Sequence, residues 1–242
     1  MNNGTLYVIG TPIGNLQDIT LRAIETLNKI EVLYCEDSRV TARLINSLLD
    51  KGLIQNKPRY VPYNEFNEAM VANRIVQDVL TNKIVGLVSD AGMPVLSDPG
   101  YRAVRACLDN NIKIEVIPGP TALTTALTLS GIGGEVMNYL GFLPKTSGKA
   151  TRILEAAKAM MDSVNSTKVV LYVSPHRLMK DLVLIKQIVG DVHAVLLKEL
   201  TKQFETRVEG SVATLIEKFE GTVVKGELVL ILQKPVERKS QE

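Results

Sequence analysis

The chain has 242 residues, 45% hydrophobic and 22% charged, with 28 Lys and Arg against 26 Asp and Glu for a formal net charge of +2. That balance excludes disordered, collagen-like and low-complexity chains. The length fits one large domain or two of about 120 residues, and either holds a core without disulfide staples.

In chain order, apolar β-branched runs of strand length fall at Thr5 to Ile9, Ile30 to Tyr34, Ile84 to Val88, Ile112 to Ile117, Val169 to Val173, Ala194 to Leu197 and Leu228 to Leu232. Helical patterns lie between many of them. Ile19, Ala23, Ile24 and Leu27 share one face with Asp18 as N-cap, and Tyr101 to Leu108, Thr121 to Leu129 and Leu178 to Val189 read the same way. Continuous apolar strands separated by helices predict an α/β fold with mostly parallel or mixed sheets covered on both faces. The break at Pro118-Gly119-Pro120 divides the chain into an N-terminal α/β domain, 1–117, and a C-terminal one, 118–242. Late strands at Ala194 to Leu197, Glu205 to Glu209 and Glu227 to Leu232 lie close enough for antiparallel pairing, and the tail after Pro235 is expected to fray. Met160 and Met161 read as core filler.

Cys35 and Cys107 lack CxxC spacing and the histidines are His176 and His193, so neither a zinc ribbon nor a disulfide framework is expected, nor any metal site. The opening MNNGTLYVIG has no basic segment followed by a long apolar run, and no apolar run approaches the ~20 residues of a membrane span. A cytoplasmic chain without membrane contact is the expectation.

Ligands of open α/β sheets bind at the carboxyl ends of the strands, so the loops there are the candidates. Gly10-Thr11-Pro12-Ile13-Gly14-Asn15 follows the first strand and Glu36-Asp37 closes the second, as in a dinucleotide unit. The spacing is GxxxG, however, and Pro12 removes an N–H that a pyrophosphate would use. No GxxxxGK[ST] loop occurs. Ser89 to Gly100 is too long and too rich in Gly, Pro, Ser and Asp for a simple turn, and PGPTA at 118–122 lets a ligand approach backbone. Tyr172-Val173-Ser174-Pro175-His176-Arg177-Leu178 is a fourth polar strand end. Charge is uneven: residues 143–207 carry 11 basic and 6 acidic side chains. That excess is either a solvated face or a polyanion site.

Together these loops carry a resemblance. GTLYVIGTPIGNL from Gly4, Glu36-Asp37-Ser38-Arg39, Tyr63-Asn64-Glu65-Phe66-Asn67-Glu68, SDAGMPVLSDPG, PGPTA, GFLP at 141–144, SPHRL at 174–178, KELTK at 198–202 and KGELVL at 225–230 are similar to the ribosomal RNA small-subunit methyltransferase I family of the tetrapyrrole methylase superfamily. The resemblance spans residues 4 to about 233. It implies a two-domain α/β homodimer with S-adenosylmethionine in the cleft between domains. The implied reaction methylates a ribose 2′-hydroxyl of a decoding-site cytidine in small-subunit ribosomal RNA, naked or in the assembled subunit. Cofactor positions implied are Pro12, Asp90, Met93, Thr121, Ala122 and Tyr172, with Leu200 and Gly226 in addition. Departures from the family pattern are Ser38 in its EDTR motif, Asn64 and Phe66 where histidines are usual, and Met93 in AGTP. No imidazole at 64 or 66 supports a mechanism here. Longer members also carry a basic C-terminal extension.

A 2′-hydroxyl attacks poorly until its proton is removed or its alkoxide stabilised. The candidates are one carboxylate among Glu36, Asp37, Glu65 and Glu68 as base, with Arg39 and Lys198 on phosphate or the developing oxyanion. Read blandly, Glu36, Asp37 and Arg39 form an N-cap and a surface ion pair, His176 caps its helix, and His193 is a surface residue at a strand start. Lys145, Lys149, Arg152, His176 and Arg177 are candidate RNA contacts or a solvated face. Rival functions are a tetrapyrrole or diphthine methyltransferase, a nicotinamide oxidoreductase, and a non-catalytic RNA-binding assembly factor. The last would want more stacking aromatics than 4 Phe, 7 Tyr and no Trp supply.

Overall fold

The computed structural model describes residues 4–81, 83–164 and 166–234, and the expected fraying of the tail after Pro235 lies outside them. The described chain forms two compact units, Met1–Thr121 and Ala122–Glu242.

The first unit alternates strand and helix: β1 (Thr5–Ile9), α1 (Leu21–Leu27), β2 (Val32–Cys35), α2 (Ser38–Asp50), β3 (Arg59–Pro62), α3 (Glu68–Leu80), β4 (Val85–Val88), α4 (Tyr101–Asp109) and β5 (Lys113–Ile117). Its five strands are all parallel, in the order β3-β2-β4-β1-β5. Side chains alternate across this sheet. Leu6, Val8, Val32, Tyr34, Val85 and Leu87 pack under α3 and α4, while Ile9, Leu33, Cys35 and Val88 pack under α1 and α2. Burial on both faces explains why the strands read as unbroken apolar runs. The expected cap at Asp18 is corrected. Leu16–Asp18 is a 3-10 turn and Thr20 caps α1, accepting from Ala23 N at 3.1 Å, because the apolar face begins only at Ala23.

One buried polar cluster ties the sheet to α3. Asp78 accepts from Tyr34 Oη at 2.8 Å, Lys83 Nζ at 2.5 Å and Arg59 Nη2 at 3.4 Å. Burial pushes its carboxyl up, but the Lys83 and Tyr34 hydrogen bonds and the neighbouring cations outweigh that and hold it below its ordinary value. A lowered carboxylate contributes stability above the unfolded pKa of ~3.9 and loses it as pH falls through the folded value. Asp78→Ala, which leaves the buried Tyr34 hydroxyl unpaired, is expected to cost about 2–4 kcal/mol in urea unfolding at pH 7. That gap should narrow as pH falls below about 4. A gap unchanged at pH 3 would contradict the assignment.

The second unit holds α5 (Ala122–Ser130), β6 (Met137–Phe142), α6 (Ser147–Ser163), β7 (Lys168–Val173), α7 (Leu178–Ile188), β8 (His193–Lys198), β9 (Thr206–Ser211), α8 (Val212–Phe219) and β10 (Leu228–Gln233). The sheet order is β6-β7-β10-β8-β9, with β6 and β7 parallel and the other pairs antiparallel, as the late strands led one to expect. β10 is central and buried along its whole length. Leu154, Met161, Leu182, Ile185 and Leu215 of α6, α7 and α8 pack on one face of the sheet, each contributing about 1.5–3 kcal/mol by burial. Met160 points outward at 37% exposure, so Met161 alone of that pair fills core.

Candidate functional site

The carboxyl ends of β1, β4 and β5 converge because β1 lies between the other two. Gly10 donates to Ile117 O at 2.9 Å, and a Cβ on Gly10 would stand 2.7 Å from Cα and N of Gly119 and 2.6 Å from Met93 Sδ. Gly119 is equally confined, its own Cβ position lying 2.9 Å from Gly10 Cα. Thr11 and Gly92 exchange two backbone hydrogen bonds of 2.9 and 3.1 Å, with Gly92 at φ +82°, and Ile13 packs beside them. The three loops are therefore locked backbone to backbone. Pro12, Asp90, Met93 and Thr121, all half-buried, sit on these loops, and Ala122 opens α5. Val95 and Ser97 hold φ +81° and +65°, a strained conformation for Val above all, inside the loop that the sequence marked as too long for a turn.

The acidic candidates separate by what already holds them. Asp37 caps α2, accepts from Arg39 N at 2.8 Å and pairs with Arg39 Nη2 at 2.6 Å. These Arg39 bonds hold its carboxyl down at about 2. Glu68 accepts from Tyr63 Oη at 2.9 Å and from Gly100 N and Arg102 N at 3.1 and 3.3 Å. Burial pushes its carboxyl up, but these bonds outweigh it and leave it below its usual value. Both carboxylates are engaged as anions in helix starts, which suits neither to proton uptake. The N-cap and ion-pair reading thus holds for Asp37 and Arg39, while Glu36 stands apart. Half-buried, Glu36 accepts a hydrogen bond from the Asp90 backbone, and Asp90 Oδ1 accepts from Asp37 N at 2.9 Å, so the ends of β2 and β4 are cross-tied. Burial first, then the charges of Asp90, Glu65 and Asp37, push the Glu36 carboxyl up, and Asp90 is raised mainly by burial. Glu65 is exposed.

In the second unit, β8 ends at Lys198 and the chain turns through Glu199 at φ +54° and Thr201 at φ +65°. Glu199 Oε1 accepts from Lys202 Nζ and Glu227 N, both at 2.9 Å, and Lys202 also pairs with Glu227. The Glu199 carboxylate occupies the space a Cβ on Gly226 would need, 2.5 Å away, with Gly226 at φ +95°. KELTK and KGEL are thereby one knot, with Leu200 buried beneath it and Gly226 exposed. Tyr172 stacks edge-on between Tyr139 and Phe142, ring centroids 5.2 and 5.6 Å away.

The cationic candidates differ too. Lys145, Lys149, Arg152 and His176 are exposed. His176 lies inside a 3-10 turn whose cap position is Ser174, which corrects the helix-cap reading. Arg177 is mostly engaged internally, Nη2 donating to Asp181 Oδ1 at 2.8 Å and to Pro144 O at 3.1 Å. His193, half-buried at the start of β8, lies 3.2 Å from Glu209 Oε1. Residues that the sequence did not single out as site positions are Thr11, Gly92, Gly119, Tyr63, Lys202 and Glu227, while Glu199 beside Lys198 was already a candidate at the end of its strand. Gly119 between two prolines was the available signal, and the buried tyrosine hydroxyl left none. Among the described residues no group of three or more acidic, His or Cys side chains is placed to hold a metal.

A family model for the tetrapyrrole (corrin/porphyrin) methylases matches residues 5–216. The chain is 37% identical to a ribosomal RNA small subunit methyltransferase I of Thermotoga maritima over 95% of this chain and 98% of that one. It is 39% identical to the protein of that name from Mycoplasmopsis pulmonis, covering 93% and 96%, and 35% identical to that from Halalkalibacterium halodurans, covering 96% and 76%. Among solved structures, uroporphyrin-III C-methyltransferase of Thermus thermophilus complexed with S-adenyl homocysteine superposes with TM-score 0.65 at 20% identity, over 95% of this chain and 97% of that one. A cobalt precorrin-4 methyltransferase superposes with TM-score 0.64 at 17% identity, over 95% and 94%.

Proposed function

The chain belongs to the tetrapyrrole methylase family and, within it, to the ribosomal RNA small subunit methyltransferase I group, and from this we propose that it transfers a methyl group from S-adenosylmethionine to a cytidine 2′-hydroxyl in the decoding region of small-subunit ribosomal RNA. The observation that carries the cofactor part is the glycine cradle at Gly10 and Gly119. Gly10 N–H is taken by Ile117 O and Thr11 N–H by Gly92 O, and Pro12 has none, so the start of this loop offers a phosphate few backbone donors. Gly10 is buried against Met93 and Gly119, which fixes this wall, and the Met93 thioether with the mutually tied carboxylates of Asp90 and Glu36 suits a compact cationic nucleoside instead. Pro12, Asp90, Met93 and Thr121 of the first unit would hold it.

When bound, S-adenosylmethionine supplies an electrophilic methyl carried on a sulfonium. Glu36, with its raised affinity for a proton, takes the proton of the ribose hydroxyl. Glu65 sustains that raised affinity by its charge. In the first unit Arg39 meets phosphate, and in the second Lys198, Lys145, Lys149, Arg152 and His176 are the cations for the RNA backbone. Asp37, Glu68 and Arg177 act by positioning: they fix the starts of α2, α4 and α7. The working form is a cytoplasmic homodimer.

Labelled methyl transfer to small subunits lacking native methylation, with naked RNA and a tetrapyrrole precursor alongside, tests this. Label recovered as an alkali-resistant dinucleotide is the expected product. Label in a base, or in the tetrapyrrole alone, overturns the substrate assignment.

A further inference from the structure

The second unit carries a groove that shares Lys145 and Arg177 with the RNA-contact and positioning residues above and adds apolar residues that have no role there. It lies between the start of α6 and α7 and encloses about 370 Å³, within the range of small-ligand sites. Its lining is mostly apolar, with Pro144, Ala150, Met179, Val183 and Leu184 beside the polar Ser147, Arg177 and Gln187. Lys145 and Lys180 stand on its rim, both exposed, and Lys149 and Arg152 are exposed on the first turns of α6. Between residues 144 and 187 the chain has eight Lys and Arg against three acidic residues. Of those three, Asp181 has a side chain only 4% exposed and is paired with Arg177, and Asp162 is paired with Lys234.

The groove is also preformed. Arg177 joins Pro144 O to Asp181, so the segment after β6 and the first turn of α7 are held at a fixed separation by one guanidinium. An apolar slot bordered by cations, with no carboxylate in its lining and Asp181 paired with Arg177, matches the two halves of a nucleotide: a flat apolar base and an anionic phosphate.

We propose that this groove is a second RNA subsite, in which an unpaired base of the substrate RNA, other than the methylated cytidine, lies against Met179, Val183 and Leu184 while its flanking phosphates meet Lys145 and Lys180. The proposal rests on the RNA substrate reading above. It gives the enzyme a contact with a base that is not itself methylated.

Val183 is 41% exposed, so Val183→Asp leaves the core intact while placing a carboxylate in the slot. This variant and Lys145→Glu/Lys180→Glu are compared with the parent for binding of small-subunit ribosomal RNA across a salt series, with S-adenosylmethionine affinity measured in parallel. Each is expected to weaken RNA binding at least tenfold and leave cofactor affinity within twofold. The double lysine variant should also reduce the salt slope by about 2. A photoreactive phenylalanine analogue at Met179 should crosslink to RNA. RNA affinity within twofold of the parent, or crosslinks only to a ribosomal protein or to another copy of this chain, overturns the subsite while the methylation reading stands. A parent that methylates no RNA overturns the reading and the subsite together.

Discussion

Gly10→Ala is expected to weaken S-adenosylmethionine binding at least about 100-fold, equivalent to about 2.8 kcal/mol. The added methyl meets two obstacles of different stiffness. Met93 Sδ, 2.6 Å from the new Cβ, is the end of a flexible side chain and can rotate away. Gly119 cannot, because its Cα and N at 2.7 Å are backbone held between two prolines. Relief therefore requires the ends of β1 and β5 to separate, which breaks the 2.9 Å bond from Gly10 N to Ile117 O and distorts the cradle. Overpacking of this kind also costs about 1–3 kcal/mol of stability. Calorimetric titration with the cofactor and urea unfolding measure the two effects. Gly133→Ala is the control, since nothing lies within 4 Å of a Cβ at that position. Affinity within threefold of the parent in the Gly10 variant would remove the cradle from the cofactor site.

Glu36→Gln is expected to slow methyl transfer by about 10²–10⁴-fold, the contribution of a positioned general base. The sign of its effect on stability is opposite to that of Asp78→Ala. Because burial and the charges of Asp90, Glu65 and Asp37 raise the Glu36 carboxyl, its contribution to stability is full below the unfolded value of ~4.3 and is lost as pH rises through the folded one. Burial and the neighbouring charges disfavour the ionised side chain. Gln removes that charge, so the urea midpoint of Glu36→Gln at pH 7.5 should equal or exceed the parent's while activity collapses. The parent's rate should decline as pH falls through the raised Glu36 value, and the residual rate of the variant should lack that limb. An unchanged rate, or a variant both slow and destabilised, would assign Glu36 to structure instead.

The sheets were legible in the sequence where burial is two-sided. LVLILQ of β10 and TLYVI of β1 are apolar except for the terminal Gln233 and Thr5, because both faces are covered. β3, RYVP with a single buried residue, and β6, MNYLGF, gave no such signal, since an edge strand keeps polar residues on its open side. Helix starts were less legible. Asp18 is as good a capping residue type as Thr20, and only the packing of Ala23 and Leu27 decides between them. At the candidate site the loops were visible from their Gly and Pro content. The division of labour among the carboxylates was not, because Glu36, Asp37 and Glu68 differ in what surrounds them and not in chemistry. That Tyr63 would reach Glu68, and Asp90 the Asp37 amide, depends on contacts spanning 5 and 53 positions of chain.

The segment from Ser89 to Gly100 is fastened at both extremities, by the Thr11–Gly92 bridge at one and by Glu68 on Gly100 N at the other. Between them Val95 N closes on Pro99 O at 3.3 Å. Folding has already removed the freedom of these residues, roughly 1–2 kcal/mol for each one fixed. A molecule that binds at this arch would meet a segment already tethered at both ends and would lose little of its binding free energy to ordering it. Selectivity there would then reside in shape.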